Sequence, residues 1–234
     1  MADIRPLIVL TRPIEAAEKF AEQLRDRFED VEVLIAPLQS IEFLSVSEDF
    51  SESKGLIFTS QNGVLAWNRL ENRPFLPAYC VGPQTTERAA SFGLGAIDCG
   101  GNAEAVVSEL LAKSLAAPLL HFRGEHGRGQ IAERLTEAGL ETREAVVYRQ
   151  VSLDPKDELL EVLDRPDIVV PLFSPRSAKL FARIAPAGTN PRLAVISQAA
   201  AKALDPALQE RMIVAHTPDR EGMMQAIADC LVAG

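Results

Sequence analysis

Hydroxyl and guanidinium side chains sit at the ends of apolar runs in this chain, and they do so at matched spacings. Leu56-Ile-Phe-Thr-Ser60 leads into Gln61-Asn-Gly-Val-Leu-Ala-Trp67, and Ile168-Val-Val-Pro-Leu-Phe-Ser174 leads into Pro175-Arg-Ser-Ala-Lys-Leu-Phe181. Arg12, after Leu7-Ile-Val-Leu-Thr11, has a counterpart in Arg123, after Pro118-Leu-Leu-His-Phe122. Ala78-Tyr-Cys-Val-Gly82 likewise pairs with Arg192-Leu-Ala-Val-Ile-Ser197. Arginines, serines and backbone N–H groups at strand ends are what an anionic ligand needs, because each supplies donors to an acceptor-only group. Ser60 and Ser174 read first as helix caps and not as nucleophiles, and a cap can also donate to a ligand carboxylate. Thr85 and Thr86, after Gly82-Pro-Gln, also read as caps. Tyr148, in an extended polar segment, is either a packed connector tyrosine or a hydrogen-bond and proton donor at a cleft.

Other chemistries are poorly supported. Gly124-Glu-His-Gly127-Arg-Gly129 is neither a dinucleotide fingerprint nor a Walker loop, although a glycine-rich turn before a helix exposes N–H groups to anions. Arg123 is a candidate ligand there, and Arg128 is either a ligand or a solvated helix residue. His121, His126 and His216 lack the HExxH spacing and a Cys partner, so no metal is expected. His121 lies in a strand-like run and reads as a satisfied core histidine. No GxSxG elbow occurs for a serine triad.

The elements that would position these groups alternate. Strand-like runs cover Pro6–Thr11, Val31–Ile35, Gly55–Ser60, Ala78–Gly82, Pro118–Arg123, Thr142–Val151, Asp167–Ser174, Arg192–Ser197 and Met212–His216. Most are short and continuously apolar, as in strands buried on both faces. Helix-like runs cover Pro13–Phe28, Asn62–Glu71, Gln84–Phe92, Ala103–Leu115, Gly127–Ala138, Pro155–Leu163, Arg176–Ile184, Ala199–Leu204 and Arg220–Val232. Pro13 and Pro175 mark helix starts after Thr or Ser caps, and Gly93, Gly95 and Gly139 mark helix ends. The expected fold class is α/β with two similar lobes from an internal duplication, each a parallel sheet flanked by helices. The offsets support it: Arg12 to Ser60 is 48 residues and Arg123 to Ser174 is 51. The segments 40–46 and 146–152 break the alternation and read as interlobe connectors. Open α/β sheets bind ligands at the carboxyl ends of their strands, which is where the polar groups fall.

Composition bounds the reading. Of 234 residues, 47% are hydrophobic and 24% charged, as in globular proteins, and the net charge of −9 argues against nucleic acid. No apolar run reaches the ~20 residues of a membrane span, and the first residues lack a signal peptide's pattern. Cys80, Cys99 and Cys230, an odd number without a CxxC pair, read as reduced cytosolic thiols. The residues alone imply a polyanion-binding cleft with no cofactor.

Eight segments carry a resemblance to the uroporphyrinogen-III synthase family. They are Val9-Leu-Thr-Arg-Pro13, Ile57-Phe-Thr-Ser-Gln-Asn-Gly63, Val81-Gly-Pro-Gln-Thr85, Cys99-Gly-Gly-Asn-Ala-Glu104, Phe122-Arg-Gly124 with Gly127-Arg128, Val147-Tyr-Arg149, Leu172-Phe-Ser-Pro175 and Thr217-Pro218. The resemblance implies a cytoplasmic lyase of tetrapyrrole and heme synthesis that works as a monomer without metal or cofactor. Its substrate would be the linear hydroxymethylbilane, which loses water and closes with inversion of ring D through a spiro intermediate. It further implies crossed lobes, residues 1–38 plus 153–234 and residues 45–147, with 39–44 and 148–152 as connectors. Thr11, Arg12, Thr59, Ser60, Gln61, Asn62, Gly82, Thr85, Gly101, Asn102, Ala103, Arg123, Gly124, Ser174, Ser177 and Ser197 would bind substrate. Tyr148 would be the catalytic acid, since a phenol ordinarily keeps its proton at neutral pH. The preceding pathway enzyme is the expected transient partner, with no role for nucleic acid or membrane. In one departure, Ser197-Gln-Ala-Ala200 replaces a Gly-Pro-Thr-Thr-like turn, so a hydroxyl is missing at Ala200. That departure favours the competing expectation, a non-catalytic bilobed binder of anionic metabolites. A third class, a sugar-phosphate enzyme, would have to work through Glu125 and His126.

Overall fold

The computed structural model describes residues 5–46, 50–127, 129–185 and 191–232. In chain order the first elements are β1 (Leu7–Leu10), α1 (Ile14–Arg27), β2 (Glu32–Ile35), β3 (Gln39–Phe43), β4 (Gly55–Phe58), α2 (Gln61–Asn68) and β5 (Ala78–Cys80). There follow α3 (Gly82–Ser91), β6 (Ala96–Asp98), α4 (Ala103–Leu111), β7 (Leu119–Gly124), α5 (Ile131–Glu137) and β8 (Thr142–Ser152). The last are α6 (Asp157–Val162), β9 (Ile168–Leu172), α7 (Pro175–Ala182), β10 (Arg192–Val195), α8 (Gln198–Ala201), α9 (Pro206–Gln209), β11 (Met212–Val214) and α10 (Arg220–Val232). The chain divides into two compact units, residues 1–40 with 151–234 (unit 1) and residues 41–150 (unit 2).

The sheet of unit 1 has the order β11-β10-β9-β1-β2, with every pairing parallel. All residues of β1, β9 and β10 are buried, because helices cover both faces of the sheet. Helix α1 shows how that cover forms. It buries Ala17, Phe20, Ala21 and Leu24, which the 3.6-residue period puts on one stripe. They pack with Ile8, Leu10, Met223 and Ile227. Truncating fully buried Leu24 to Ala would cost about 2–5 kcal/mol.

The second sheet has the order β3-β8-β7-β4-β5-β6, and from β8 to β6 every pairing is parallel. Strand β3 runs antiparallel to β8: Leu44 N donates to Val147 O and Leu153 N to Leu38 O, both at 2.9 Å. In that register Glu42 lies opposite Arg149, and the two form a bidentate ion pair at 2.9 Å. The aromatic core of unit 2 sets Phe58 against Trp67 and Phe122.

Residues 40–46 are extended as expected: most of them belong to strand β3, and the division between the two units falls at Ser40/Ile41. Three other points need correction. Strand β6 escaped notice because its three residues include exposed Ile97 and Asp98 at the sheet edge. Helix α1 starts at Ile14 with Pro13 as its N-cap and no side-chain cap bond, so Thr11 does not cap it. Helix α5 starts at Ile131, after Gln130 with φ 45°, so the glycine-rich turn does not open directly into a helix. By contrast, Gly93 and Gly139 follow their helices at φ +86° and +93°, backbone that suits glycine.

Candidate functional site

The carboxyl ends of β4, β5, β7 and β8 converge in unit 2 on a cleft of about 290 Å³. Thr59, Val81, Ala103, Arg123, Gly124, His126, Gly127 and Tyr148 line it. Each arrives by a local rule. Thr59 follows β4 as the strand gives way to α2, whose cap Ser60 accepts from Asn62 N at 3.1 Å. Val81 is the N-cap residue of α3, and Ala103 is the first residue of α4, capped by Asn102 through Ala105 N.

Tyr148 is placed by a bulge. Arg123 pairs with Val146 but Gly124 pairs with Tyr148, so Val147 is the extra residue of β8. Bulges re-aim side chains at the ends of sheets. Glu125 N then donates to Tyr148 O at 2.9 Å. The Tyr148 ring lies over Gly124: a Cβ there would stand 2.7 Å from Cε2 and Cζ and 3.0 Å from the phenol oxygen. Only glycine leaves room for this ring position.

Arg123 is already engaged. Its Nε donates to Glu144 Oε2 at 2.7 Å, and Nη1 donates to Gly124 O at 2.9 Å and Glu125 O at 3.2 Å. His121, 3% exposed, contacts Thr59 Oγ1 through Nε2 at 3.1 Å. Its Nδ1 is 3.8 Å from Glu144 Oε1 and has no hydrogen-bond partner among the described residues. The expectation of a satisfied histidine is therefore half right: it is buried, and one ring nitrogen is orphaned. His121 and Arg123 together hold the Glu144 carboxyl below the usual carboxylate range, against part burial. Of the two contacts, the one to Arg123 has hydrogen-bond geometry.

The remaining predicted site residues of unit 2 stand around this cleft without lining it. Gln61 donates to Gln84 at 3.2 Å. Gly82 has φ +71° and its N–H donates to Gly100 O at 2.8 Å. Thr85 is buried, and Thr86 donates to Gly82 O at 2.9 Å, so neither caps α3 through its side chain. Gly101 and Asn102 belong to the turn that opens α4, while Arg128 lies outside the described residues. Exposed His126 lines the cleft 3.9 Å from Glu125.

In unit 1 the predicted residues are arranged differently. Thr11 is 1% exposed and its Oγ1 has no partner among the described residues. The Arg12 guanidinium lies 4.0 Å above the Phe173 ring. Burial alone pushes it down to about 10, with no carboxylate among the described residues to offset the desolvation. Ser174 and Ser177 cap α7 reciprocally, the Ser177 hydroxyl donating to Ser174 O at 2.9 Å. Buried Ser177 takes part in the cap. Ser197 caps α8 through Ala200 N, and the Ala200 side chain is fully buried, so a hydroxyl there would face the core.

Sequence reasoning overlooked Glu144, Phe173 and the contact of His121 with Thr59. Glu144 faces His121 only through the β7–β8 register, which no local pattern encodes. Phe173 was visible as the residue aligned with Thr59, one before the serine cap in each unit. Among the described residues no group of three His, Cys, Asp or Glu could hold a metal ion, and no helix is long and apolar enough to cross a membrane.

A family model described as uroporphyrinogen-III synthase HemD matches residues 18–225. No curated protein gives a significant sequence match. Among solved structures, the uroporphyrinogen-III synthetase of Helicobacter pylori 26695 is similar at 19% identity and a TM-score of 0.68, over 97% of this chain and 99% of that one. A mutant uroporphyrinogen III synthase of the extremely thermophilic bacterium Thermus thermophilus is similar at 15% identity and a TM-score of 0.50, over 98% of this chain and 100% of that one. At these identities the two structures speak for the fold alone. The family model spans most of the sequence, and on that ground the chain belongs to the uroporphyrinogen-III synthase family.

Proposed function

We propose that this chain is a cyclising lyase that converts linear hydroxymethylbilane to uroporphyrinogen III with loss of water and inversion of ring D. The observation that carries this reading is Tyr148, brought over Gly124 by the β8 bulge and set in the wall of a strand-end cleft. The terminal hydroxyl of the bilane leaves as water once it gains a proton, and we assign that proton to the phenol of Tyr148, which lines the cleft. The azafulvenium cation that remains closes spontaneously without inversion, so the protein's main task is to hold the chain where ring D attacks through its substituted carbon, the surplus proton being lost after closure. That is positioning and preorganised polarity, which need no nucleophile. In unit 1, Arg12 offers a desolvated cation to a carboxylate. The reading includes a cytoplasmic monomer, working without cofactor on the product of the preceding pathway enzyme.

The test is the isomer assay with freshly generated hydroxymethylbilane. The expected product is the type III isomer, formed faster than spontaneous closure. If only type I accumulates, at the rate seen without protein, the chain is not a synthase.

A further inference from the structure

We propose that His121 locks the Thr59 hydroxyl as a hydrogen-bond acceptor, so that this wall of the cleft takes a pyrrole N–H of the substrate and not a carboxylate. The identity of the N–H donor rests on the synthase reading; the polarity of Thr59 does not.

Taken as the neutral imidazole, His121 has one N–H and one lone pair, and its neighbours then decide which nitrogen carries which. The β4–β7–β8 register sets His121 between Ile57, which is uncharged, and Glu144. Nδ1 faces Glu144 Oε1 at 3.8 Å, and Nε2 faces Thr59 Oγ1 at 3.1 Å. The Glu144 carboxyl lies below the usual carboxylate range, lowered by the contact with His121 and by Arg123 at 2.7 Å. A proton on Nε2 would turn the Nδ1 lone pair toward that anion inside the protein, two negative ends face to face. A proton on Nδ1 turns a positive end toward it. The second arrangement wins because Coulomb terms are strongest where water is excluded.

The consequence passes to Thr59. With Nδ1 protonated, Nε2 can only accept, so the single hydroxyl hydrogen of Thr59 points inward to the ring. Thr59 lines the cleft, and whatever its Oγ1 turns toward a ligand there is then lone pair only. A carboxylate is itself acceptor-only and gains nothing there. A pyrrole N–H, which every ring of the bilane carries, finds a fixed acceptor. The resemblance implies that Thr59 binds substrate, and the ring of His121 gives that contact its polarity. His121 acts through Thr59 and is a positioning residue.

The test begins with ¹⁵N spectra of histidine-labelled protein without ligand. The chain has 3 histidines, so the H121Q variant assigns the signal. The expected spectrum shows Nδ1 protonated and Nε2 bare. The opposite tautomer, or an imidazolium at neutral pH, overturns the proposal whatever the enzyme makes. Kinetics then test the consequence. The T59V and H121L variants should raise KM for hydroxymethylbilane about 3- to 10-fold, the value of one neutral hydrogen bond. H121Q should recover most of the H121L loss, since its carbonyl can accept from Thr59 while its amide faces Glu144. T59V with the wild-type KM overturns the N–H contact. If wild type makes no type III product, the synthase reading falls and takes the pyrrole assignment with it, while the spectrum still decides the polarity of Thr59.

Discussion

Arg12 and Arg123 occupy matched positions in the sequence, and the two units treat them in opposite ways. In unit 2, Arg123 meets a carboxylate on the neighbouring strand and two backbone carbonyls, so its charge is spent internally. In unit 1, Arg12 lies on the Phe173 ring and is lowered to about 10 by burial. A one-for-one exchange underlies this. Phe173 stands where unit 2 has Thr59, and Thr11 stands where unit 2 has Phe122. The aromatic ring moves from the strand that carries the arginine to the strand beside it. The same residue type at the same strand end therefore becomes a scaffold in one unit and, in the other, a cation on aromatic rings with no carboxylate beside it among the described residues. Position marks where a ligand group can be, but the neighbouring strand decides whether it is available.

The largest effect should separate the units outright. If proton transfer belongs to the unit 2 cleft, Tyr148→Phe lowers kcat by roughly 10- to 10³-fold, about the span of general acid catalysis or somewhat below it where water substitutes. KM should change little, because the ring that packs over Gly124 is kept. The residual product should remain type III. Gly124→Ala gives the complementary loss: its Cβ would stand 2.7 Å from the ring, so kcat falls although the phenol is intact. Unchanged kcat in Tyr148→Phe would leave unit 2 without its acid. A switch to type I product at intact kcat would make the hydroxyl a substrate clamp instead.

Next in size is the arginine pair itself. Arg12→Ala should raise KM about tenfold, the value of a charge-assisted bond to a carboxylate of ~1.5–3 kcal/mol. Arg123→Ala should raise KM less and lower stability more, because it strips Glu144 of its partner. Equal KM effects in the two variants would erase the distinction, and no KM effect in either would leave carboxylate binding to backbone N–H groups.

The strands, their burial and the helix caps at Ser60 and Ser174 were legible in the sequence, since apolar runs and cap residues act locally. The short edge strand β6 was not, because edge residues need not be apolar. The site was legible as a set of residue types at strand ends. It was not legible as geometry: the Val147 bulge that aims Tyr148, and the register that faces His121 with Glu144, are set by partners over 20 residues away. Ser177 shows a use that residue type alone does not reveal. Its hydroxyl, expected to bind substrate, donates within its own helix cap.

The two cap serines give a smaller and sharper contrast. Ser174 shares a reciprocal capping box with Ser177, whereas Ser60 makes one bond, to Asn62 N. Losing a cap costs about 0.5–2 kcal/mol, so Ser174→Ala should fall toward the upper end and Ser60→Ala toward the lower. Ser174→Ala keeps the backbone N–H that donates to Ser177 Oγ and loses the bond from Ser177 N together with the 3.2 Å contact between the two hydroxyls. Urea unfolding of each variant measures this, and the reverse order would mean that the hydroxyl contact adds nothing.

The smallest effect concerns acid. Each unit has a partly buried carboxyl lowered by an arginine beside it: His121 with Arg123 acts on Glu144, and Arg165 acts on Asp167 at 2.6 Å. A carboxyl whose folded value is depressed binds its proton more readily in the unfolded chain. Its stabilisation is therefore full above the unfolded value and is lost as pH falls through the folded one. For Glu144 that window opens below the ordinary 4.5, and for Asp167 below 3.8. The stability gap between wild type and Glu144→Gln should be constant from neutral pH down to about 4.5 and narrow below it. An Asp167→Asn gap should persist to lower pH before narrowing. Both contacts are partly exposed, so salt should shrink both gaps. A Glu144 gap that stays constant well below pH 4.5 would mean that the carboxylate is not what Arg123 and His121 stabilise, and the proton placement on His121 would lose its cause.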